Sequence, residues 1–436
     1  MKISRYVILF SYGETYLLYN SKNGLFLELS KDLYNDISDF AKEKSKSILE
    51  DSVLVESLKS YDILTTEQDD NIFVDQLVME DYMRSFSTND IFITFAPTIW
   101  CNLKCPYCYE TKKSKSIVSE EVCDKIIEFI LKHKYANRLH LTWYGGEPLL
   151  AIDRVAYFLD KLKQTNINLV EHNIITNATL FNDNVIQVFL KYPLDNIQIT
   201  LDGPKEKHDQ VRIRHDGRGT FDTIMSNLDI IIRELETTNI SIRVNTGKHN
   251  QSDFFEIENM LKSLYSDNNK INVYPGILVG DNDCGFTSNF FSPNELSNFH
   301  YSLITHDDNT SFPKRTAKGC IANNIYGYVI GPEGEIYKCW DDIGFKDKEI
   351  GSVMEDGIRN KLLLQRYMLY SSFRNDKKCL GCKLLPNCHG GCPHHRLENY
   401  FEGTNKNLCS HLNLQNQTTL KETLYRYYLA QKNKHQ

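Results

Sequence analysis

Cys101, Cys105 and Cys108 stand in a C-x3-C-x2-C run a few residues after the apolar stretch Ile91–Phe95. A short loop with thiolates at this spacing can fold around one cubane and turn every sulfur inward. Thiolates are soft ligands that select iron–sulfur clusters or zinc, and three of them leave one metal position open. A structural zinc site wants a fourth ligand close by, yet no cysteine or histidine follows before Cys123. An iron with an open position can take a substrate or a cofactor.

Seven of the twelve cysteines lie between Cys320 and Cys409. Their order is Cys320, Cys339, then Cys379-x2-Cys382-x5-Cys388-x3-Cys392, then Cys409. A C-x2-C pair taken alone is also a zinc knuckle. Cys123 shares a helical face with Ile126, Ile127 and Ile130, where packing is its expected role. Cys284 sits in the polar stretch Asp283-Cys-Gly285.

The 436 residues give room for two or three domains, and a net charge of −7 with a pI near 6.0 offers no basic footprint for nucleic acid. The apolar run Tyr6–Phe10 is too short for a membrane span or an export signal and reads as a strand. The expected compartment is a reducing cytoplasm, where many cysteines mean metal rather than disulfides.

The elements that must position these residues follow from periodicity. Residues 1–88 read as a small α+β module: strands Tyr6–Tyr12, Thr15–Asn20 and Leu25–Leu29, a helix capped by Ser30, and a second helix over Val53–Leu64. Leu25–Leu29 offers a free sheet edge, with Glu28 off the Leu25/Leu27/Leu29 face. Residues 90–280 alternate strand and helix six times, with strands ending near Ala96, Trp143, Thr176, Leu201, Asn245 and Pro275. That alternation implies a parallel sheet, and six units make an open, partial (β/α)6 TIM-like barrel with ligands at the strands' C-terminal ends. Residues 281–319 read as a loop-rich connection, 320–412 as a cysteine-rich domain, and 413–436 as a closing helix over Thr418–Ala430 with a polar tail.

Each strand end carries a polar motif. Strand two ends in Trp143-Tyr-Gly-Gly-Glu-Pro148, where two glycines let backbone approach a ligand and a carboxylate suits an ammonium group. Strand three ends in Thr176-Asn177. Strand four ends in Thr200-Leu-Asp-Gly-Pro204, followed by His208-Asp209 and Arg212. Strand six carries Tyr274-Pro-Gly-Ile277.

Together these motifs resemble the radical S-adenosylmethionine (radical SAM) enzymes with a SPASM domain, a peptide-maturase group related to the anaerobic sulfatase-maturing enzymes. The resemblance covers residues 90–412. It implies that Cys101, Cys105 and Cys108 bind a 4Fe–4S cluster, with Tyr107 at the aromatic position before the third cysteine. It also implies that Gly146 and Glu147 grip the methionine amino group, that Asn177, Thr200 and Arg212 contact the cofactor, and that Ile277 meets the adenine. Thr200 and Arg212 would hold the cofactor's carboxylate. The SPASM pattern implies two auxiliary 4Fe–4S clusters, one on Cys320, Cys339 and Cys392 and one on Cys379, Cys382, Cys388 and Cys409. The first has three thiolates, so it keeps an open iron or takes Cys284. Three 4Fe–4S clusters and S-adenosylmethionine are the expected cofactors. A peptide or protein substrate and an electron donor such as flavodoxin or ferredoxin are the expected partners, with neither nucleic acid nor membrane.

Residues 1–88 resemble the leader-recognition module, winged-helix-like, of peptide-modifying enzymes; the alternative is an extension that covers the barrel end. The leading expectation is therefore a maturase that forms a crosslink or thioether in a ribosomally made peptide. An anaerobic sulfatase-maturing enzyme making formylglycine is the alternative. Members of that branch commonly carry an aspartate directly after the cysteine matching Cys339; here Trp340 stands there and Asp341 follows. A non-catalytic iron–sulfur peptide-binding protein is the third reading. The resemblance names no catalytic residue in this chain.

Overall fold

The N-terminal strands form where apolar alternation places them. In the computed structural model, β1 (Lys2–Ile3) pairs antiparallel with β5 (Leu64–Thr65), and β2 (Val7–Tyr12), β3 (Thr15–Asn20) and β4 (Leu25–Leu29) make an antiparallel sheet with β3 central. The structure describes all residues except 109, 111–112, 279–289, 307–318, 389, 410–416 and 435–436. Cys284 therefore lies outside the described residues.

Ser30 caps α1 (Lys31–Ala41) by accepting from the Leu33 N–H, and Asp51 caps α2 (Ser52–Ser60), which stops short of the expected end at Leu64. One face of the sheet, through Leu18 and Leu27, packs on Ile37, Phe40 and Leu58. The opposite face, through Phe10, Leu17 and Tyr19, packs on Leu424 and Tyr428 of the C-terminal helix Gln417–Lys434. β4 does form an edge of the sheet. Glu28 is engaged, because its carboxylate accepts from the Tyr428 hydroxyl and from Lys432 Nζ at 3.1 Å.

Two helices absent from the sequence reading have capping signals in the sequence. α3 (Glu67–Ser85) begins at a reciprocal box: Thr66 Oγ1 donates to Asp69 Oδ2 at 2.7 Å, and the Asp69 N–H donates back at 3.1 Å. Within the expected connection, a helix over Pro293–His306 starts with the Ser292 N–H on Glu295 Oε2 at 2.8 Å. α3 is tied to the C-terminal segment by a buried pair, Asp81 with Arg374 at 3.2 Å, to which Ser372 Oγ adds a bond at 2.5 Å.

The second unit holds the barrel. Contacts group Phe86–Phe291 with Ile321–Tyr367, and group Met1–Ser85 with Ser292–Cys320 and Met368–Gln436. Six parallel strands, β6 (Asp90–Phe95), β7 (Arg138–Trp143), β8 (Asn168–Thr176), β9 (Asn196–Thr200), β10 (Asn239–Thr246) and β11 (Ile271–Ile277), lie side by side in chain order. Their crossover helices include α4 (Glu120–Leu131), α5 (Ile152–Leu162), α6 (Asp183–Lys191), α7 (Lys205–Val211), α8 (Phe221–Glu234) and α9 (Gln251–Leu264). Cys123 is fully buried on α4 beside Ile126, Ile127 and Ile130, the packing role its position implies. Beyond β6 the sheet continues with β12 (Gly327–Ile330), parallel to β6, and then the antiparallel β13 (Glu335–Tyr337), β14 (Gly351–Ser352) and β15 (Gly357–Ile358). Ten strands thus share one sheet, four of them from sequence that the cysteine pattern alone does not mark as sheet. No helix among the described residues is long and apolar enough to cross a membrane.

Behind the sheet, the buried His172 accepts from Trp143 Nε1 at Nε2 (2.8 Å) and donates from Nδ1 to the Pro193 carbonyl (3.0 Å). Burial pushes its pKa down to about 4. Since the folded value lies below the unfolded one, this contribution to stability is present above pH 6.5 and is lost as pH falls toward 4. That loss should amount to about 3 kcal/mol in urea unfolding followed by tryptophan fluorescence, and His172→Gln should flatten the slope.

Candidate radical SAM active site

The cysteine loop after β6 is held by backbone from the next strand end. The Gly146 N–H donates to the Thr98 carbonyl at 3.1 Å, and the Glu147 N–H donates to the Trp100 carbonyl at 2.9 Å. A Cβ on Gly146 would stand 2.2 Å from the Trp100 carbonyl oxygen, and Gly145 turns the chain at φ +109°. Both glycines are therefore required by close approach and turn geometry.

Glu147 is fully buried. Burial raises its pKa, while its carboxylate accepts from Thr176 Oγ1 (2.7 Å), the Asn177 N–H (2.7 Å) and the Leu149 N–H (3.1 Å). It thus staples the ends of β7 and β8. Asn177 extends the staple to the cysteine loop by donating to Asn102 Oδ1 at 2.8 Å. Burial pushes the Cys101 thiol up to about 12, so that sulfur carries a proton unless a metal takes its place.

A second set of contacts comes from β9. Thr200 is buried at the strand end, and two residues on the buried Asp202 accepts from the Asn245 N–H at 3.1 Å and from the Tyr107 hydroxyl. Arg212 donates from Nη1 to Tyr107 Oη at 3.0 Å and lies 3.7 Å from Asp202. Burial works against its charge, while the loop cysteines, when ionised, and Asp202 raise its pKa. Its Nε is buried without a hydrogen-bond partner.

His208 sets this arginine in place. It accepts the Asp202 N–H at Nδ1 (3.2 Å), and its Nε2 bonds Thr220 Oγ1 at 3.0 Å, which in turn donates to the Arg212 carbonyl at 2.7 Å. Burial and the Arg212 charge push His208 down to about 3, so it works as a neutral bridge. Asp209 accepts from the Thr220 and Phe221 N–H groups at 2.7 and 2.9 Å. The segment after Arg212 then reaches back to the cysteine loop. Lys104 N–H donates to the Ile213 carbonyl at 2.9 Å, and His215 Nε2 bonds the Cys101 carbonyl at 3.0 Å while its ring stacks on Trp100.

These residues fit a cubane with a bound zwitterion. Three thiols lie on one loop, an arginine beside them has a buried donor unfilled, and backbone packs too closely for any side chain at Gly146. Residues 95–261 match the model of the Radical SAM superfamily. The chain carries a radical SAM domain.

Among known proteins, the cysteine-type anaerobic sulfatase-maturating enzyme of Clostridium novyi is 27% identical over 335 residues, 71% of this chain and 89% of that one. The solved structure of native anSMEcpe with bound AdoMet and Cp18Cys peptide aligns at TM-score 0.58 and 15% identity, over 79% of this chain and 98% of the other. Streptococcus suis SuiB bound to precursor peptide SuiA aligns at TM-score 0.50 and 15% identity, over 90% and 95%. At these identities the two structures establish a shared fold.

Of the residues that the radical SAM resemblance assigns, Cys101, Cys105, Cys108, Tyr107, Gly146, Glu147, Asn177, Thr200 and Arg212 all lie on the linked loops at the ends of β6–β9. Ile277 is half-buried at the end of β11. In the other unit, Arg396 Nη2 reaches Cys379 Sγ at 3.4 Å and Asp376 Oδ2 at 2.7 Å from Nη1. Burial raises the Cys409 thiol, and Cys388 and Cys382 lie near enough to raise it further. Cys320 and Cys392 are exposed in that unit, while Cys339 is buried in the barrel unit.

Sequence reading passes over Asp202, His208, Thr220 and Glu110. Asp202 and His208 stand within the quoted motifs but look like turn and cap residues there. Glu110, just after the cysteine loop, is pushed up to about 7 by burial.

Gly146→Ala should force the Trp100 carbonyl away and lower the iron held by Cys101, Cys105 and Cys108, measured by iron assay and electron paramagnetic resonance of the reconstituted protein. Arg212→Lys keeps the charge but loses the fork, and should weaken S-adenosylmethionine binding by about 1.5–3 kcal/mol in equilibrium dialysis.

Proposed function

We propose that this radical SAM enzyme modifies a ribosomally made peptide, forming a crosslink or thioether. The observation that carries the reading is the N-terminal module, a three-stranded sheet whose strand β4 lies at an edge where an extended leader can add as a further strand. Structural likeness to SuiB over 90% of the chain supports it. Bound S-adenosylmethionine supplies a 5′-deoxyadenosyl radical on one-electron reduction, and the protein's part is to place it and exclude water. Arg212 and Thr200 would hold the cofactor's carboxylate, with Tyr107, Asp202 and His208 fixing Arg212. Glu147, Gly146 and Asn177 would line the amino end, and Ile277 would meet the adenine.

The cysteine-rich segment is read as a SPASM domain with two auxiliary clusters. Cys379, Cys382, Cys388 and Cys409 would form one site, a reading supported by the nearness of Cys388 and Cys382 to Cys409 and by the cation Arg396 at Cys379. For the other, the SPASM resemblance in sequence implies Cys320, Cys339 and Cys392.

Formylglycine formation on a sulfatase is the second reading, and one observation favours it. Asp341 Oδ2 lies 3.8 Å from Cys339 Sγ, and its charge reaches Tyr144 and Glu110. A carboxylate is thus available in the barrel unit one residue later than the branch pattern expects. The identity to the Clostridium novyi enzyme also supports this reading.

Anaerobic reconstitution should load about twelve irons if all three sites hold 4Fe–4S clusters; zinc in the C-terminal cysteines without iron there would overturn the SPASM reading. Reduced enzyme should release 5′-deoxyadenosine, which a pure carrier would not. Mass spectrometry then separates the two activities. A crosslink or thioether in a peptide encoded beside this gene supports the first reading, and formylglycine in a cysteine- or serine-type sulfatase peptide supports the second. Deletion of residues 1–85 that left peptide processing unchanged would overturn leader recognition.

A further inference from the structure

The open barrel carries a cation that the cofactor assignment does not use. Along β10, Ile240, Ile242, Val244 and Thr246 are buried, while Ser241, Arg243 and Asn245 are half-buried. Alternation therefore turns Arg243 to the sheet face opposite the buried row. In register it stands between Thr200 on β9 and Tyr274 on β11, in the layer just below the motif-bearing loops.

Its guanidinium is held but not neutralised. Nε donates to Asn245 Oδ1 at 2.9 Å, and among the described residues Arg243 forms no ion pair. Gly276 makes the room, since a Cβ there would meet Arg243 Nε at 2.3 Å and Cζ at 2.8 Å. The side chain also hydrogen-bonds Tyr274, and the remaining N–H donors of its planar fork suit a carboxylate. Asp202 is committed elsewhere, to Tyr107, Arg212 and the Asn245 N–H. Arg212 is the arginine beside the cysteine loop, whereas Arg243 acts electrostatically on Tyr144, Asp202 and Tyr274.

We propose that Arg243 is a specificity-determining anion anchor, taking a carboxylate of the substrate next to the position where the cofactor's radical is delivered. The site rests on the peptide-modifying reading for its substrate class: the carboxylate is an acidic side chain near the modified residue or a peptide C-terminus. A fixed, half-buried guanidinium favours a carboxylate over the matching amide, because the amide leaves the charge unpaired.

The test uses the reconstituted full-length enzyme loaded with S-adenosylmethionine and three probes: N-acetyl-Ala-Glu-Ala-amide, N-acetyl-Ala-Gln-Ala-amide and N-acetyl-Ala-Ala-Ala with a free carboxylate. Wild type should bind at least one acid about tenfold more tightly than the glutamine probe, and Arg243→Gln should erase that advantage. The acid that gains identifies the source as side chain or C-terminus. Arg243→Lys should retain part of it, and serves in place of Arg243→Gln if that variant loses its iron. Equal binding of acid and amide by wild type, or an advantage that survives Arg243→Gln, overturns the proposal. So does a tenfold loss of S-adenosylmethionine affinity in Arg243→Gln, which would assign the guanidinium to the cofactor. If wild type modifies no peptide yet prefers the acid probe, the peptide reading fails and the anion anchor stands.

Discussion

The active end of this molecule depends on backbone meeting backbone at Gly145 and Gly146. Thr98 and Trp100 present their carbonyls at distances no side chain could share, and the hydrogen bonds formed there fix the cysteine loop against the end of β7. A loop that must offer three thiolates to one cluster cannot be left mobile. Every other contact of the site is built outward from this approach. Glu147 carries it to β8 and Asn177 returns it to Asn102.

A second constraint is electrostatic. Cys101, Asp202 and Glu147 are buried in one region, with Cys105 and Cys108 half-buried on the same loop. The charge that makes this tolerable is Arg212, itself held by Tyr107 and by the His208–Thr220 bridge to its carbonyl. An uncompensated buried charge is strongly destabilising, so each member of the group requires the others. The neutral state of His208 follows from the same logic, because a proton there would be buried and would face the Arg212 charge.

The same barrel face separates two arginines by role. Arg212 belongs with the sulfurs, and its position follows from the loop after β9. Arg243 belongs with strand β10, and its guanidinium has room because Gly276, on the neighbouring strand, has no side chain. Arrangement by register thus sets which cation meets which anion.

The sequence by itself determined the chemistry. The C-x3-C-x2-C spacing, the Gly-Gly-Glu-Pro turn and the Thr200–Arg212 interval are local patterns, and the alternation of apolar runs dictates a parallel sheet with motifs at its strand ends. The Thr66–Asp69 and Ser292–Glu295 boxes were equally local, and the helices over 67–85 and 293–306 were legible there. Other features came only from tertiary structure. The pairing of β12 with β6, which carries the sheet beyond six strands, joins segments more than two hundred residues apart and leaves no local trace. Asp202 and His208 look like turn residues until burial and long-range partners make them the support of Arg212. Glu28 looks like a free edge residue until Tyr428 and Lys432 approach it. Spacing encodes ligand sets, whereas burial and the pairing of distant strands decide which polar residues become a site.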